Sequence, residues 1–239
     1  MQWFLANFPY VMGLTGLHLY QAMLPLVLGF LISLPLGYLA WRIRPIRGVI
    51  LSVSSVLYTI PSLALFVFLP VVLGTKILDM ANLIVALTLY AVALLVRAVV
   101  DALNSIDDGV RQAAEAMGYR PLRQLFTVDL PLALPVLFAG LRVVSVSNIS
   151  LASVGAVIGI QNLGVLFTDG LLRSFMTEIL VGIILILVLA VLLDGVLVLT
   201  ERLLTPWLRH GRGARADTPN RAGGRPGQQP DAAETAILT

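Results

Sequence analysis

Five apolar runs set the limits on what this chain can fold into. The first ends at Trp41 and starts near Leu17, after an aromatic-rich leader over residues 1–16 that carries Trp3, Phe4, Phe8 and Tyr10. The second covers Gly48 to Leu73 and the third Asn82 to Val96. The fourth opens at Leu130 and closes before Gln161-Asn162, and the fifth runs from Ile179 to Thr200. A helix needs about 20 apolar residues to cross about 30 Å of hydrocarbon. Between Arg47 and Arg97 the only charges are Lys76 and Asp79, which mark a loop. The third run is short and must extend past Arg97, whose long stem can snorkel to the interface.

A soluble globule of 239 residues has too much surface to hide 58% hydrophobic residues, and 12% charged residues cannot cover it. The expected fold class is therefore all-α, a polytopic membrane protein of five transmembrane helices. The formal net charge of +3 is dispersed, with no basic face interleaved with aromatics, so nucleic acid is excluded as a partner and the lipid bilayer is expected. Zero cysteines remove disulfides, thiolate metal sites and cysteine nucleophiles. No Walker motif, metal-ligand cluster or nucleophile constellation is present, and His18 and His210 are isolated. The reading is of a chain that is not an enzyme and needs no cofactor.

The first basic residue is Arg42, so the first run lacks the positive start of a secretory signal and reads as an uncleaved span. Basic residues fall on alternate sides. Arg42, Arg44, Arg47, Arg111, Arg120, Arg123, Arg202, Arg209, Arg212 and Arg215 share one side, against Lys76 and Arg173 on the other. The positive-inside bias then places the N-terminus outside and the C-terminus in the cytoplasm. Residues 207–239 turn to Gly, Arg, Pro, Gln and Ala without apolar periodicity and are expected to be a disordered cytoplasmic tail.

The loop from Asn104 to Thr127 is the most informative segment on the basic side. Asp107 and Asp108 suit a helix N-terminus. Val110, Ala113, Ala114 and Met117 recur at helical spacing as a narrow stripe of mostly small residues. Gly118 stands where a helix would close in a left-handed residue, and Pro121 can open a second short helix. The plain alternative is an amphipathic connector lying on headgroups.

Gln112-Ala113-Ala114, three residues to Gly118, nine more to Val128, one more, then Leu130-Pro131 resembles the EAA loop of ATP-binding-cassette importer permeases. Gln112 stands for that family's acid and Val128 for its isoleucine. Further strings follow in order: His18-Leu19-Tyr20, Ile60-Pro61-Ser62-Leu63-Ala64-Leu65, Leu132-Ala133-Leu134-Pro135, Ala139-Gly140-Leu141-Arg142, Glu201-Arg202 and Thr205-Pro206. Together they resemble permeases for compatible solutes such as glycine betaine, carnitine, choline or proline. The resemblance covers about Leu17 to Pro206, so the transmembrane domain is taken as residues 17–206. It implies a type I importer in a bacterial cytoplasmic membrane, working by alternating access. It also implies cytoplasmic ATPase subunits, a second permease subunit and a separate extracytoplasmic solute-binding protein. The loop residues Val110, Gln112, Ala113, Ala114, Met117, Gly118, Leu130 and Pro131 would couple the ATPase to the spans. Another cargo such as an amino acid, an ATP-independent channel or carrier, and a membrane scaffold stay open as alternatives.

In the fourth span Ser145, Asn148, Ala152, Gly155 and Gly159 share one helical face, while Ser147, Ser150 and Ser153 share another. Small and hydroxyl residues commonly serve helix packing, which is the favoured reading, and the alternative is that the first face lines a translocation path, with Asn148 as its polar group. Gly155, Gly159 and Gly164 resemble the glycine-rich loop that follows this span in the solute permeases. Arg142 and Asp194 stand inside spans, where an unpaired charge is costly, and are expected to compensate each other. Tyr58 and Tyr90 offer π faces to a quaternary ammonium, though tyrosines in spans also serve as packing.

Overall fold

A computed structural model describes residues 2–207 and shows an all-α chain among them, its compact unit closing at Thr205. The helices are α1 (Gln2–Ala6), α2 (Phe8–Arg42), α3 (Arg44–Thr59), α4 (Ser62–Leu73), α5 (Met80–Asn104), α6 (Asp108–Ala116), α7 (Pro121–Gln124), α8 (Leu130–Val154), α9 (Val165–Leu172) and α10 (Met176–Leu204). A π-turn, Leu125–Asp129, joins α7 to α8, and a 3-10 turn, Gly155–Ile158, follows α8. Four helical segments are long and apolar enough to cross a membrane: Phe8–Arg42, Met80–Asn104, Pro121–Ile158 and Met176–Leu204. The bent pair α3 and α4 brings the number to five if it counts as one span. The expected tail, with Arg209, His210, Arg212 and Arg215, lies outside the described residues.

Two boundaries differ from expectation. The first long helix, α2, starts at Phe8 rather than near Leu17, so with α1 most of the leader is helix; at 35 residues α2 is about 52 Å long. The leader's aromatics pack instead of lying free, Trp3 against Phe175 and Phe4 against Phe8. The second run is not one straight helix. Its halves meet at 104°, because Ile60 and Pro61 are both extended and a proline disfavours the helical region for the residue before it. The carbonyl freed at Ile60 accepts from the Tyr90 hydroxyl, as irregular backbone at membrane depth requires.

α5 is the axis of the bundle, with α2, α3, α4 and α8 packed around it. Small residues make the approach close. A Cβ on Gly29 would meet the Ala91 Cβ at 2.5 Å, and one on Gly37 the Val99 Cβ at 2.5 Å. With buried Ser33 between them, these glycines form a small-residue seam at four-residue spacing along α2. Gly140 of α8 meets α5 in the same way, at Ala98. At the end away from α6, Val11 and Leu14 join Leu163, Leu166 and Leu189 in a cluster that ties α2 to α9 and α10.

The expected pairing of intramembrane charges is present. Arg142 Nε lies 2.6 Å from Asp194 Oδ1 and an Nη 2.8 Å from Oδ2, a two-pronged bridge between α8 and α10. Removing one partner leaves the other charge uncompensated in a low-dielectric bundle, so a single loss costs more than a double loss. Arg142→Leu and Asp194→Leu should each lower the yield of folded protein from detergent, and the double variant should recover part of it. Size-exclusion profiles of the three variants read this directly; additive losses would mean that the charges act separately.

Candidate functional site

The site grows out of the segment between α5 and α8. Asp107 is extended, and its side chain accepts from the Gly109 N–H at 2.7 Å, which caps α6 as expected. Asp108 is the first helical residue and reaches Arg111 at 3.4 Å, an exposed contact of small worth. At the far end the Tyr119 N–H donates to the Ala114 carbonyl and the Gly118 N–H to the Glu115 carbonyl. These bonds form a Schellman closure with Gly118 at φ +79°. A Cβ there would meet nothing within 4 Å, so the demand for glycine is conformational alone.

The apolar stripe divides between two faces. Ala114 is 1% exposed and points into the bundle, whereas Val110 at 40% and Met117 at 70% point away from it. Gln112 and Ala113 are exposed with them. Of this stripe only Ala114 seats α6, and the remainder faces outward. Leu130 and Pro131 open α8 behind the π-turn, where the Leu130 N–H donates to the Leu125 carbonyl five residues back. Pro131 has no N–H to continue the ladder.

What holds α6 in place was not legible as a site residue. Arg111 shares the inward face with Ala114, and its side chain is 13% exposed. Its Nε lies 3.3 Å from an Asp129 oxygen, an Nη donates to the Leu103 carbonyl, and its guanidinium sits 4.6 Å from the centre of the Trp41 ring. One side chain thereby joins the ends of α2 and α5 to the start of α8. Asp129 reaches inward from the π-turn with 5% of its side chain exposed. The only sequence signal was register: Arg111 stands three residues before Ala114, on the same helical face.

The candidate path residues lie elsewhere and are closed off within the chain. Ser145 and Asn148 are 1% exposed and Ala152 is 0% exposed, with Gly155 buried in the 3-10 turn. The Asn148 amide donates to the Ala22 carbonyl of α2, and the Ser145 hydroxyl to the Arg142 carbonyl. Within the single chain Asn148 therefore ties α8 to α2, while the Ser145 hydroxyl bonds within α8. A polar lock continues the seam. The Asn162 amide donates to the Gln21 side-chain oxygen and the Ala152 carbonyl, and its oxygen accepts from Gly164 N–H. His18, isolated in the sequence, is wholly buried with Nε2 2.9 Å from the Ile149 carbonyl. Gly164 fits only as glycine, because a Cβ would stand 2.1 Å from the Ser153 carbonyl oxygen.

A polytopic α-helical chain with a capped helix clamped across the ends of its long helices is the class that fold and site define: a membrane-spanning subunit. The chain belongs to the family described as binding-protein-dependent transport system inner membrane component, which matches residues 26–210. It is 34% identical over 209 residues to the osmoprotectant import permease protein OsmW of Salmonella typhimurium, covering 86% of this chain and 97% of that protein. It is 30% identical over 192 residues to the glycine betaine/carnitine/choline transport system permease protein OpuCB of Bacillus subtilis, covering 80% of this chain and 87% of that one. Among solved structures, an inward-facing MetNI methionine ABC transporter aligns with a TM-score of 0.73 at 24% identity, over 82% of this chain and 96% of that one. That likeness shows the fold.

Replacing Arg111 with Ala would strand the Asp129 carboxylate, a loss of about 3–5 kcal/mol for a broken buried pair. Arg111→Ala should raise amide exchange across residues 107–117 by about tenfold or more while α5 and α8 stay protected. Arg111→Lys, a point charge that lacks the planar fork, should restore only part of that protection. Unchanged exchange in α6 would show that the clamp is not what holds it.

Proposed function

We propose that this chain is the permease subunit of an ATP-driven importer for compatible solutes of the quaternary-amine or proline type. Two such subunits, identical or paralogous, would form the path. ATPase subunits would bind the α6 side in the cytoplasm, and a separate solute-binding protein would deliver cargo outside. The cargo reading draws on the named relatives, and the mechanism on one observation. The outward face of α6, with Val110, Gln112, Ala113 and Met117, is exposed among the described residues, while its inward face is clamped to three spans through Arg111.

A docking helix held this way transmits displacement. When the ATPases close on ATP, a push on α6 moves the Leu103 end of α5, the Asp129 start of α8 and the Trp41 end of α2 together. The gate then turns from one side of the membrane to the other by rocking of packed helices. Gln112 in place of an acid removes a charge from the docking face but retains an amide for hydrogen bonding. The basic residues on the α6 side, with Lys76 and Arg173 on the other, support an N-terminus outside and a C-terminus inside. The helix start at Phe8 supports a transmembrane domain that begins within the leader.

Two substitutions separate docking from seating. Ala113→Arg, on the exposed face, should leave insertion and thermal stability of the permease unchanged while weakening ATPase co-purification and abolishing uptake. Ala114→Leu should also abolish uptake, but through loss of the seat, seen as faster exchange in α6. Gly118→Ala, with about 1–2 kcal/mol of left-handed strain, should give an intermediate loss. Wild-type uptake in Ala113→Arg and Ala114→Leu would reduce α6 to a passive connector.

A further inference from the structure

We infer that the exposed surface shared by α3 and α5 around Tyr58 and Arg97 is a half-site for a small zwitterion bearing a quaternary ammonium and a carboxylate. The inference rests on the permease reading and adds to it a place where cargo touches this chain. Arg97 stands seven residues before the end of α5, about 10 Å inside it at 1.5 Å per residue. It is exposed on the single chain, and its hydrogen-bond partner is a neutral group, the Ser55 hydroxyl at 3.1 Å. Asp101, one turn on, forms no ion pair with it, and neither does any other carboxylate among the described residues. Arg142 shows the contrast, because Asp194 answers it from the neighbouring helix. A cation at this depth without a counter-charge either snorkels to the interface or faces enclosed water, protein or a ligand, and residues of the second kind mark transport paths.

The second element is aromatic. Ser55 and Tyr58 lie three residues apart on one face of α3. Tyr90 is 3% exposed and anchored to the Ile60 carbonyl, and the Tyr58 ring stands against it edge to face at 5.9 Å and 86°. Tyr58 is thus held in place by one edge contact yet remains 46% exposed on the single chain. The helix breaks by 104° immediately after it, and irregular backbone at membrane depth is tolerated where protein buries it or where it lines a cavity, the latter a recurrent place for transport sites. The Tyr58 π face suits a quaternary ammonium, and the Arg97 fork suits a carboxylate. Their attachment points on α3, Tyr58 itself and Ser55, differ by about 4.5 Å along the axis, the scale of a small zwitterion. A bare quaternary cation would meet the aromatic ring and be repelled by the guanidinium. The half-site therefore selects a carboxylate-bearing quaternary amine over the corresponding alcohol, and a second permease subunit closes it.

The test uses the permease assembled with its ATPase in proteoliposomes, its binding protein outside and ATP inside, with radiolabelled glycine betaine and choline as probes. Arg97→Gln should lower maximal uptake of glycine betaine about tenfold or more and that of choline less than about twofold, collapsing the preference, and Arg97→Lys should restore part of it. Tyr58→Leu should lower both solutes, whereas Tyr58→Phe, which keeps the ring, should lower neither. Glycine betaine uptake within about twofold of wild type in both Arg97→Gln and Tyr58→Leu would overturn the site while leaving the importer intact. So would equal losses of both solutes in Arg97→Gln. A wild-type complex that hydrolyses ATP but carries neither probe, or choline alone, would overturn the zwitterionic cargo and the site with it.

Discussion

The clamp made by Arg111 is the interaction on which the placement of α6 against the rest of the chain depends. A guanidinium can satisfy several acceptors at once in a fixed plane, and here it binds a carboxylate and a main-chain carbonyl while stacking on an indole. Its partners belong to α2, α5 and the π-turn before α8, so α6 cannot tilt or slide without disturbing all three. The wide turn at Leu125–Asp129 contributes by bringing Asp129 inward at the point where Pro131 interrupts the ladder. π-turns of this kind recur at functional sites.

The clamp can act only because the helix ends it joins are already close. Lipid supplies no hydrophobic drive between helices, so α2, α5 and α8 approach through glycine and alanine contacts and through interhelical hydrogen bonds. Gly29, Gly37 and Gly140 provide the first kind. Asn148, Asn162, Gln21 and His18 provide the second, toward the opposite end of the bundle. The result is a tightly packed α2–α5–α8 unit with less enclosed helices at its margins, α10 and the bent α3–α4 pair. Arg142 and Asp194 fasten α10 to that unit by charge.

Much of this fold was legible in the chain because membrane spans obey strong rules. Apolar length located the spans, and the cost of intramembrane charge located the Arg142–Asp194 pair across 52 residues of sequence. The left-handed turn at Gly118 and the Asp107 cap followed from local backbone chemistry. The losses are equally physical. Gly13, Thr15 and Gly16 interrupt the apolar run and disguised the start of α2, while Pro61 broke a run that composition alone joins. Small and polar residues on α8 have the same pattern whether they line water or pack against a neighbour, and the pattern alone did not show that Ser145 and Asn148 are buried within the chain. Arg111 was one more positive charge in a loop until its register with Ala114 had a structure around it.

The central claim is that α6 and the ends of α2, α5 and α8 move as one body when ATP binds. The chain has no cysteine, so spin labels can be placed singly at Glu115 on α6 and Val157 beyond α8 without background. Electron–electron distance measurements on the assembled transporter, ATP-free and ATP-trapped, test the claim directly. The Glu115-to-Val157 distance within one subunit should stay constant, while the Glu115-to-Glu115 distance between subunits shortens, and Arg111→Ala should uncouple the two. An α6 that changes its distance to Val157 while the spans remain still would contradict the account.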